Sequence, residues 1–331
     1  MKKLLSFVVP VYNEERNIPV LYEKLQTVMT AVSEKYDSEI ILVNDGSRDN
    51  SWQVIKKIAE FDDRIVGITF SRNFGHQMAL TAGYDHAQGD AVIALDADLQ
   101  DPPELIYQMI AQWQQGFYIV YARRSSRADG FLKKITANIY YKLLYKVADV
   151  VIPQNVGDFR LIDKRVLYHI NACRERARYL RGMVAWTGFK HTFVDFERGN
   201  RLLGETGYSW SKLFSLAFDG LTNFSLFPLK IAAFMGLLVI AVGSCMFMYV
   251  TYDILFNNAH YPPFKWLLTS LYVFTGIQFI LMWLLGEYVG RIYEQLKNRP
   301  LYIIEASIRH KTFSLVSEIT QPLGKIHEHQ A

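Results

Sequence analysis

Cysteine is nearly absent: two residues in a chain of 331. Cys173 lies among charged residues and Cys245 inside a long apolar run, so no disulfide is expected between them. There is no internal repeat and no low-complexity tract, which excludes solenoids, fibrous chains and long flexible linkers. The formal net charge of +4 is small for this length and gives no reason to expect a nucleic-acid partner. The opening Met1-Lys2-Lys3 precedes only a short apolar stretch that stops at Pro10. That stretch fits a first β-strand better than a cleavable signal peptide.

Hydrophobic residues are plentiful, at 50% of the chain, and unevenly placed. Leu229 to Tyr252 carries no charge after Lys230, and Trp266 to Leu285 carries none. Each run reaches the ~20 residues that cross a bilayer as a helix. A transmembrane hairpin is therefore expected over residues 228–290, with helices at about 229–252 and 266–286. Arg198, Arg201 and Lys212 precede it, and Arg291, Lys297, Arg299, Arg309 and Lys311 follow it. The loop between, Asp253 to Lys265, has one Lys at its end. This asymmetry predicts both termini at the cytoplasmic face of the inner (plasma) membrane.

The first half alternates short apolar runs with helical periodicity, the pattern of an α/β fold with a mostly parallel sheet. Strands are expected at Leu4–Pro10, Glu39–Val43, Ile65–Phe70, Ala91–Leu95 and Ile119–Ala122. Helices are expected at Ile18–Lys35, Ser51–Phe61, Gln77–Ala87 and Pro103–Gln115. Polar residues cluster repeatedly at the strand carboxyl ends, which in a parallel sheet share one edge. The segments 131–150 and 208–227 mix basic, aromatic and aliphatic residues. They are expected as amphipathic helices at the membrane interface, an ordinary surface helix being the competing reading for each. Residues 1–207 would form the α/β domain and 291–331 a cytoplasmic tail, frayed from about Thr312.

The densest chemical signal is Leu95-Asp96-Ala97-Asp98, directly after the apolar run Ala91–Ala94. Open α/β sheets bind ligands at the carboxyl ends of their strands. Two carboxylates there suit a hard divalent cation, because magnesium commonly takes one or two carboxylates plus substrate phosphates. For an isolated Asp-x-Asp, a turn with solvated acids is an equal competitor.

Seven strings occur in order: Val8-Val9-Pro10-Val11-Tyr12-Asn13-Glu14, Val43-Asn44-Asp45-Gly46-Ser47-Arg48-Asp49, Arg72-Asn73-Phe74-Gly75, Asp96 through Pro103, Gly157-Asp158-Phe159-Arg160, Gly204 through Ser209, and Gly286 through Tyr293. With this set the sequence resembles the family 2 glycosyltransferases with a GT-A (Rossmann-like) catalytic domain. More narrowly, it resembles the polyprenyl-phosphate hexose synthases, which include dolichyl-phosphate mannose synthases and undecaprenyl-phosphate glucosyltransferases of the GtrB type. The resemblance implies that Pro10, Tyr12, Glu14 and Asp45 line the nucleoside pocket, with Asp45 accepting from the base. It implies that Asp96 lies near the ribose and diphosphate, and that Asp98 and the Gln100 carbonyl oxygen, with Asp96, hold Mg2+ or Mn2+ at the leaving group.

For the lipid phosphate, Arg123, Arg124 and Arg127 follow the fifth expected strand, and Arg suits bidentate phosphate recognition. A solvated basic loop is the alternative. Arg201 is a further candidate. Where the family pattern has a Ser-Lys pair before the Tyr, this chain has Thr206-Gly207, so a charge is missing there. Asp158 is the implied base. A phosphate monoester's second pKa is near ~6, so much of the acceptor is already a dianion at neutral pH and can attack unaided. Asp158 would then position groups or remove a residual proton.

The expected activity is inverting transfer of one hexose from a nucleotide sugar to polyprenyl phosphate. The residues themselves do not name the sugar; the resemblance, through the Arg72–Gln77 region and the paired spans, leans towards the glucosyl branch and UDP-glucose, with GDP-mannose and UDP-N-acetylglucosamine as alternatives. The implied partners are a nucleotide sugar, undecaprenyl or another polyprenyl phosphate, the bilayer, a second copy of the chain, a flippase and a downstream glycosyltransferase. A processive polysaccharide synthase would carry Gln-x-x-Arg-Trp, and the nearest string, Tyr179-Leu180-Arg181-Gly182, lacks it. A non-catalytic flippase partner fits poorly with intact acids at 45, 96, 98 and 158.

Overall fold

A computed structural model describes residues 2–124, 153, 155–176, 178–196, 263–309 and 312–315, with single positions between 245 and 256. In chain order the elements are β1 (Lys3–Val11), α1 (Asn17–Val32), β2 (Tyr36–Asn44), α2 (Ser51–Phe61), β3 (Ile65–Phe70), α3 (His76–His86), β4 (Ala91–Ala94) and α4 (Leu105–Gln114). There follow β5 (Ile119–Arg124), β6 (Val156–Asp163), α5 (Lys164–Ala172), α6 (Leu180–Trp186), β7 (His191–Phe196), α7 (Pro263–Leu296), β8 (Ile304–Arg309) and β9 (Thr312–Leu315).

Among the described residues nine strands form one sheet, in the order β7-β5-β6-β4-β1-β2-β3-β8-β9. β1 pairs in parallel with β2 and β4, β2 with β3, and β5 with β7. β6 and β8 run against their neighbours on both sides. The architecture is the mostly parallel, Rossmann-like α/β sheet of the GT-A kind.

β1 is buried from Leu5 to Val11, as expected for a central strand covered on both faces. α1 buries Ile18, Leu21, Leu25, Val28 and Met29, a stripe at helical spacing that packs on the sheet. α3 comes so close to β1 that a Cβ on Gly83 would lie 2.1 Å from Val8 Cγ1. Only glycine permits that approach.

The chain divides into two compact units. One comprises Met1–Lys134, Val151–Gly207 and Pro300–Ala331; the other comprises Ile135–Val150 and Tyr208–Arg299. The expected interfacial helices at 131–150 and 208–227 and the first expected span lie outside the described residues, apart from single positions of that span. The second apolar run lies within α7, a helix of 34 residues. Among the described residues no helix is long and apolar enough to cross a membrane. Several side chains of α7 are outside the described set.

The C-terminal expectation needs correction. Residues after α7 are not simply a tail, because β8 and β9 extend the sheet beyond β3 and Thr312–Leu315 is itself a strand. Ala306 and Ile308 are buried at alternate positions of β8, and this short alternation was too brief to stand out in the sequence.

Candidate active site

β1, β2 and β4 are parallel, so Val11, Asn44 and Ala94 end at one sheet edge. Asp45 and Asp96 follow two of those ends. β6 contributes from the opposite direction. Its register sets Arg160 against Ala94 and Asp163 against Ala91, which brings the start of β6 to the same edge and Asp158 across from Asp96. The resemblance grouped these acids, and antiparallel pairing is what brings the last of them in.

Asp158 is 4% exposed and Arg160 is completely buried. Arg160 Nη2 donates to Asp158 Oδ1 at 2.6 Å. Arg181, on α6, donates from Nε to Oδ1 at 3.2 Å and from Nη2 to Oδ2 at 3.0 Å. His76 Nε2 lies 3.4 Å from Asp158 Oδ2 and 3.6 Å from Asp96 Oδ1. Burial alone would raise the Asp158 carboxyl, but Arg181, His76 and Arg160 override it and hold it well below the ordinary carboxylate range. The opposite holds for Asp96. Burial raises its carboxyl, His76 opposes the rise, and the charges of Asp158 and Asp98 reinforce it. Burial disfavours the charged form of His76, yet the two acids beside it raise its pKa.

The Asp-rich loop has a strained backbone. Leu99 sits at φ +59°, a region that side chains other than glycine, asparagine and aspartate rarely adopt. The turn lets the Gln100 N–H donate to Asp98 Oδ1 at 3.1 Å. Among the described residues, no group donates a hydrogen bond to the buried oxygens Asp96 Oδ1 and Gln100 Oε1. Such strain persists where surrounding structure enforces it, and it concentrates at functional sites. Among the described residues no three His, Cys, Asp or Glu side chains converge to hold a metal. Two carboxylates and an amide oxygen still fit a hard cation that completes its shell with diphosphate oxygens.

On the nucleoside side, Pro10 is buried and Tyr12 is exposed at the end of β1. Asp45 is buried, and its carboxylate accepts from the backbone N–H groups of Phe74 at 2.7 Å and Gly75 at 2.9 Å. Burial raises the Asp45 carboxyl, and those two donors oppose the rise. Asp45 thus joins the β2–α2 loop to the start of α3. Gly46 makes this possible: at φ +62° a Cβ there would lie 2.4 Å from the Arg72 carbonyl carbon. The β1–α1 loop is laced to the same region, with Asn13 N–H donating to Ser47 Oγ at 2.9 Å and Arg48 N–H to Asn13 Oδ1 at 2.8 Å. Glu14 N–H donates to Ser51 Oγ at 3.0 Å, and Glu14 Oε2 accepts from Asn17 Nδ2.

The expected arginine cluster separates. Adjacent strand residues point to opposite faces. Arg123 pairs with Asp195 at 2.6 and 2.8 Å and lies over Phe193, while Arg124 lies 4.0 Å from Asp101 beside the Asp-rich loop. Arg127 and Arg201 are outside the described residues, as is the Gly204–Ser209 string.

Three central residues were given no role from sequence: His76, Arg160 and Arg181. Arg160 was recoverable, because a residue two positions from Asp158 on a strand shares its face. Arg181 had no local signal. It reaches Asp158 from another element, and Gln77 helps place that element by accepting the Leu180 N–H at 3.1 Å.

The fold and this acidic edge define an α/β enzyme of the GT-A kind. The family model "Glycosyl transferase family 2" matches residues 6–170. An uncharacterized glycosyltransferase of Bacillus subtilis, YkcC, is 45% identical over 303 residues, spanning 91% of this chain and 93% of that protein. The prophage bactoprenol glucosyl transferase homolog of Escherichia coli is 43% identical over 305 residues, covering 91% and 98%. Among solved structures, mannosyl-3-phosphoglycerate synthase from Rubrobacter xylanophilus is similar at TM-score 0.45 and 17% identity, over 66% of this chain and 71% of that one. The chain belongs to glycosyltransferase family 2 and is a glycosyltransferase.

Proposed function

We propose that this protein is a membrane-anchored, inverting enzyme that moves one glucose from UDP-glucose to a polyprenyl phosphate, in bacteria undecaprenyl phosphate, at the cytoplasmic membrane face. The observation that carries this reading is similarity over almost the full length to proteins named bactoprenol glucosyl transferase. The site's chemistry supports it. A lipid-phosphate dianion brings its own nucleophilic oxygen. That oxygen forms a bond to the anomeric carbon while the bond from that carbon to the nucleoside diphosphate breaks, the electron pair leaving with the diphosphate. No proton has to move to the protein.

In this reading Asp158 is a positioning residue. Its oxygens already accept from Arg160 and Arg181, and its depressed pKa makes it a poor proton acceptor. Arg181 would bring positive charge to the diphosphate, and His76 lies between Asp158 and Asp96. Asp98, Asp96 and Gln100 would hold Mg2+ or Mn2+, which supplies charge neutralisation at the leaving diphosphate. Asp45, Pro10, Tyr12 and Glu14 would form the nucleoside pocket, and Arg124, with Arg127 and Arg201, would serve the acceptor.

The test is a panel of UDP-glucose, UDP-N-acetylglucosamine and GDP-mannose against undecaprenyl phosphate, with labelled product extracted into organic solvent. Glucose transfer alone supports the reading, and transfer of either other sugar replaces the donor. No lipid-linked product from any of the three donors removes the polyprenyl-phosphate reading.

The membrane reading draws on the two uncharged runs, the Lys/Arg asymmetry, and the exposed Leu267, Leu271, Ile280, Met282, Trp283 and Leu285 on α7. With the catalytic domain and both termini cytoplasmic, a cysteine near Asn257 labels from outside intact cells. Labelling only after lysis reverses the topology.

A further inference from the structure

Tyr302 follows shortly after α7 and stands far in sequence from every residue of the site. Its ring stacks on Phe70, the last residue of β3, with centroids 5.1 Å apart and planes at 16°. Phe70 in turn meets Phe74 edge-on at 5.6 Å, and the Arg72 guanidinium lies 4.0 Å over the other ring, Phe74. The Tyr302 hydroxyl donates to Asp85 Oδ2 at 2.8 Å, and Asp85 also receives both terminal nitrogens of Arg174 at 2.8 and 2.9 Å. One residue on, the Ile303 carbonyl accepts the Ser71 N–H at 3.1 Å.

These contacts grip the β3–α3 loop from its outer side. On the inner side the same loop gives its Phe74 and Gly75 N–H groups to Asp45 and starts the helix that carries His76. The ladder Tyr302–Phe70–Phe74 therefore runs from the C-terminal segment to the backbone that orients Asp45. Gly75, at φ +100°, closes that loop in a backbone conformation that side chains rarely adopt.

We propose that Tyr302, carried by the segment leading into β8, is a positioning residue for the nucleotide pocket, setting the β3–α3 loop and through it the Asp45 carboxylate. This rests on the reading of Asp45 as part of a uridine-diphosphate site. The C-terminal segment is then a working part of the donor site.

The experiment uses the full-length protein in detergent, with UDP and Mg2+ titrated by calorimetry and KM measured separately for the sugar nucleotide and for undecaprenyl phosphate. Tyr302→Leu should weaken UDP binding about threefold to tenfold, the range that one aromatic contact carries. The KM for lipid phosphate should stay within about twofold. Tyr302→Phe keeps the stack and loses only the hydroxyl, so it should recover most of the affinity. If Tyr302→Leu does not fold, Phe74→Leu breaks the same ladder one step nearer the site and should show the same split. A folded variant with unchanged UDP affinity, or equal losses for donor and lipid, overturns the inference and leaves the transferase reading intact. Failure of the unaltered protein to bind UDP overturns the donor reading itself, and this inference with it.

Discussion

Arg181 grips Asp158 with two prongs, Nε to Oδ1 at 3.2 Å and Nη2 to Oδ2 at 3.0 Å, although the residues stand on different elements. The carboxylate is buried and the guanidinium is part-exposed, so the fork ties a buried negative charge to a cation that reaches the surface. Only a planar, forked donor can do this.

The first prediction concerns that pair. Arg181→Lys should lower kcat/KM on the order of tenfold to hundredfold despite its retained charge, because one charge-assisted hydrogen bond is worth ~1.5–3 kcal/mol. Asp158→Asn should lose thermal stability as well as activity, because Arg160 is left buried with a weakened partner. Product formation and a melting curve in detergent distinguish the two. An Arg181→Lys protein as active as the original would remove the role given to the fork.

A second prediction concerns the cation. Asp98→Asn should stay folded and fall to about a hundredth of the activity or less, in line with several kcal/mol of lost charge stabilisation. Gln100→Ala should raise the Mg2+ concentration needed for half-maximal rate. Excess chelator should stop turnover, and turnover that persists in chelator would contradict the metal assignment.

Asp45→Ala should weaken UDP binding by about tenfold or more, since it removes both the proposed base contact and the clamp on Phe74 and Gly75. The KM for undecaprenyl phosphate should change little. Calorimetry with UDP alongside lipid-dependent kinetics reads the difference.

Gly46→Ala should cost about 1–3 kcal/mol of stability, the range for forcing a side chain into left-handed backbone, with the close approach to Arg72 adding to it. A melting temperature within one degree of the original would mean that the two loops separate without penalty.

Acid stability should depend on Asp62. Burial raises its carboxyl, but hydrogen bonds from Arg64 and Tyr22 prevail and bring it to about 2, against an ordinary 3.8. The unfolded chain therefore takes up this proton at higher pH than the folded one does. The stabilisation is complete above the ordinary value and is lost as pH falls towards about 2. Asp62→Asn should lower stability at neutral pH by about 1–2 kcal/mol and flatten the loss between about pH 4 and 2. Melting curves over that range measure both effects.

Much of the catalytic sheet could be read from residue order alone. The β3 and α2 boundaries agree with the periodicity, and β1, β2, β4 and β5 differ from it by a few residues at their ends. These elements are contiguous runs, and their alternation of apolar and polar positions is local information. Each of Asp45, Asp96 and Asp158 sits in a recognisable string, and parallel strands place the first two at one edge, whereas Asp158 reaches it only because β6 runs antiparallel.

The tertiary structure decided what neighbours those acids. Arg181 reaches Asp158 from a helix that Gln77 helps place, Arg123 turns to Asp195 while Arg124 turns to the Asp-rich loop, and Tyr302 returns from beyond α7 to clamp β3. None of these pairings has a local pattern, because each depends on which elements pack together and in what register. Strand pairing set Asp158 against Asp96; burial raises both carboxyls, and Arg181, His76 and Arg160 overturn that rise at Asp158 alone. Residue types and spacing determined that this edge is acidic; only the cations packed around Asp158 determined that its carboxyl is held low against the pull of burial.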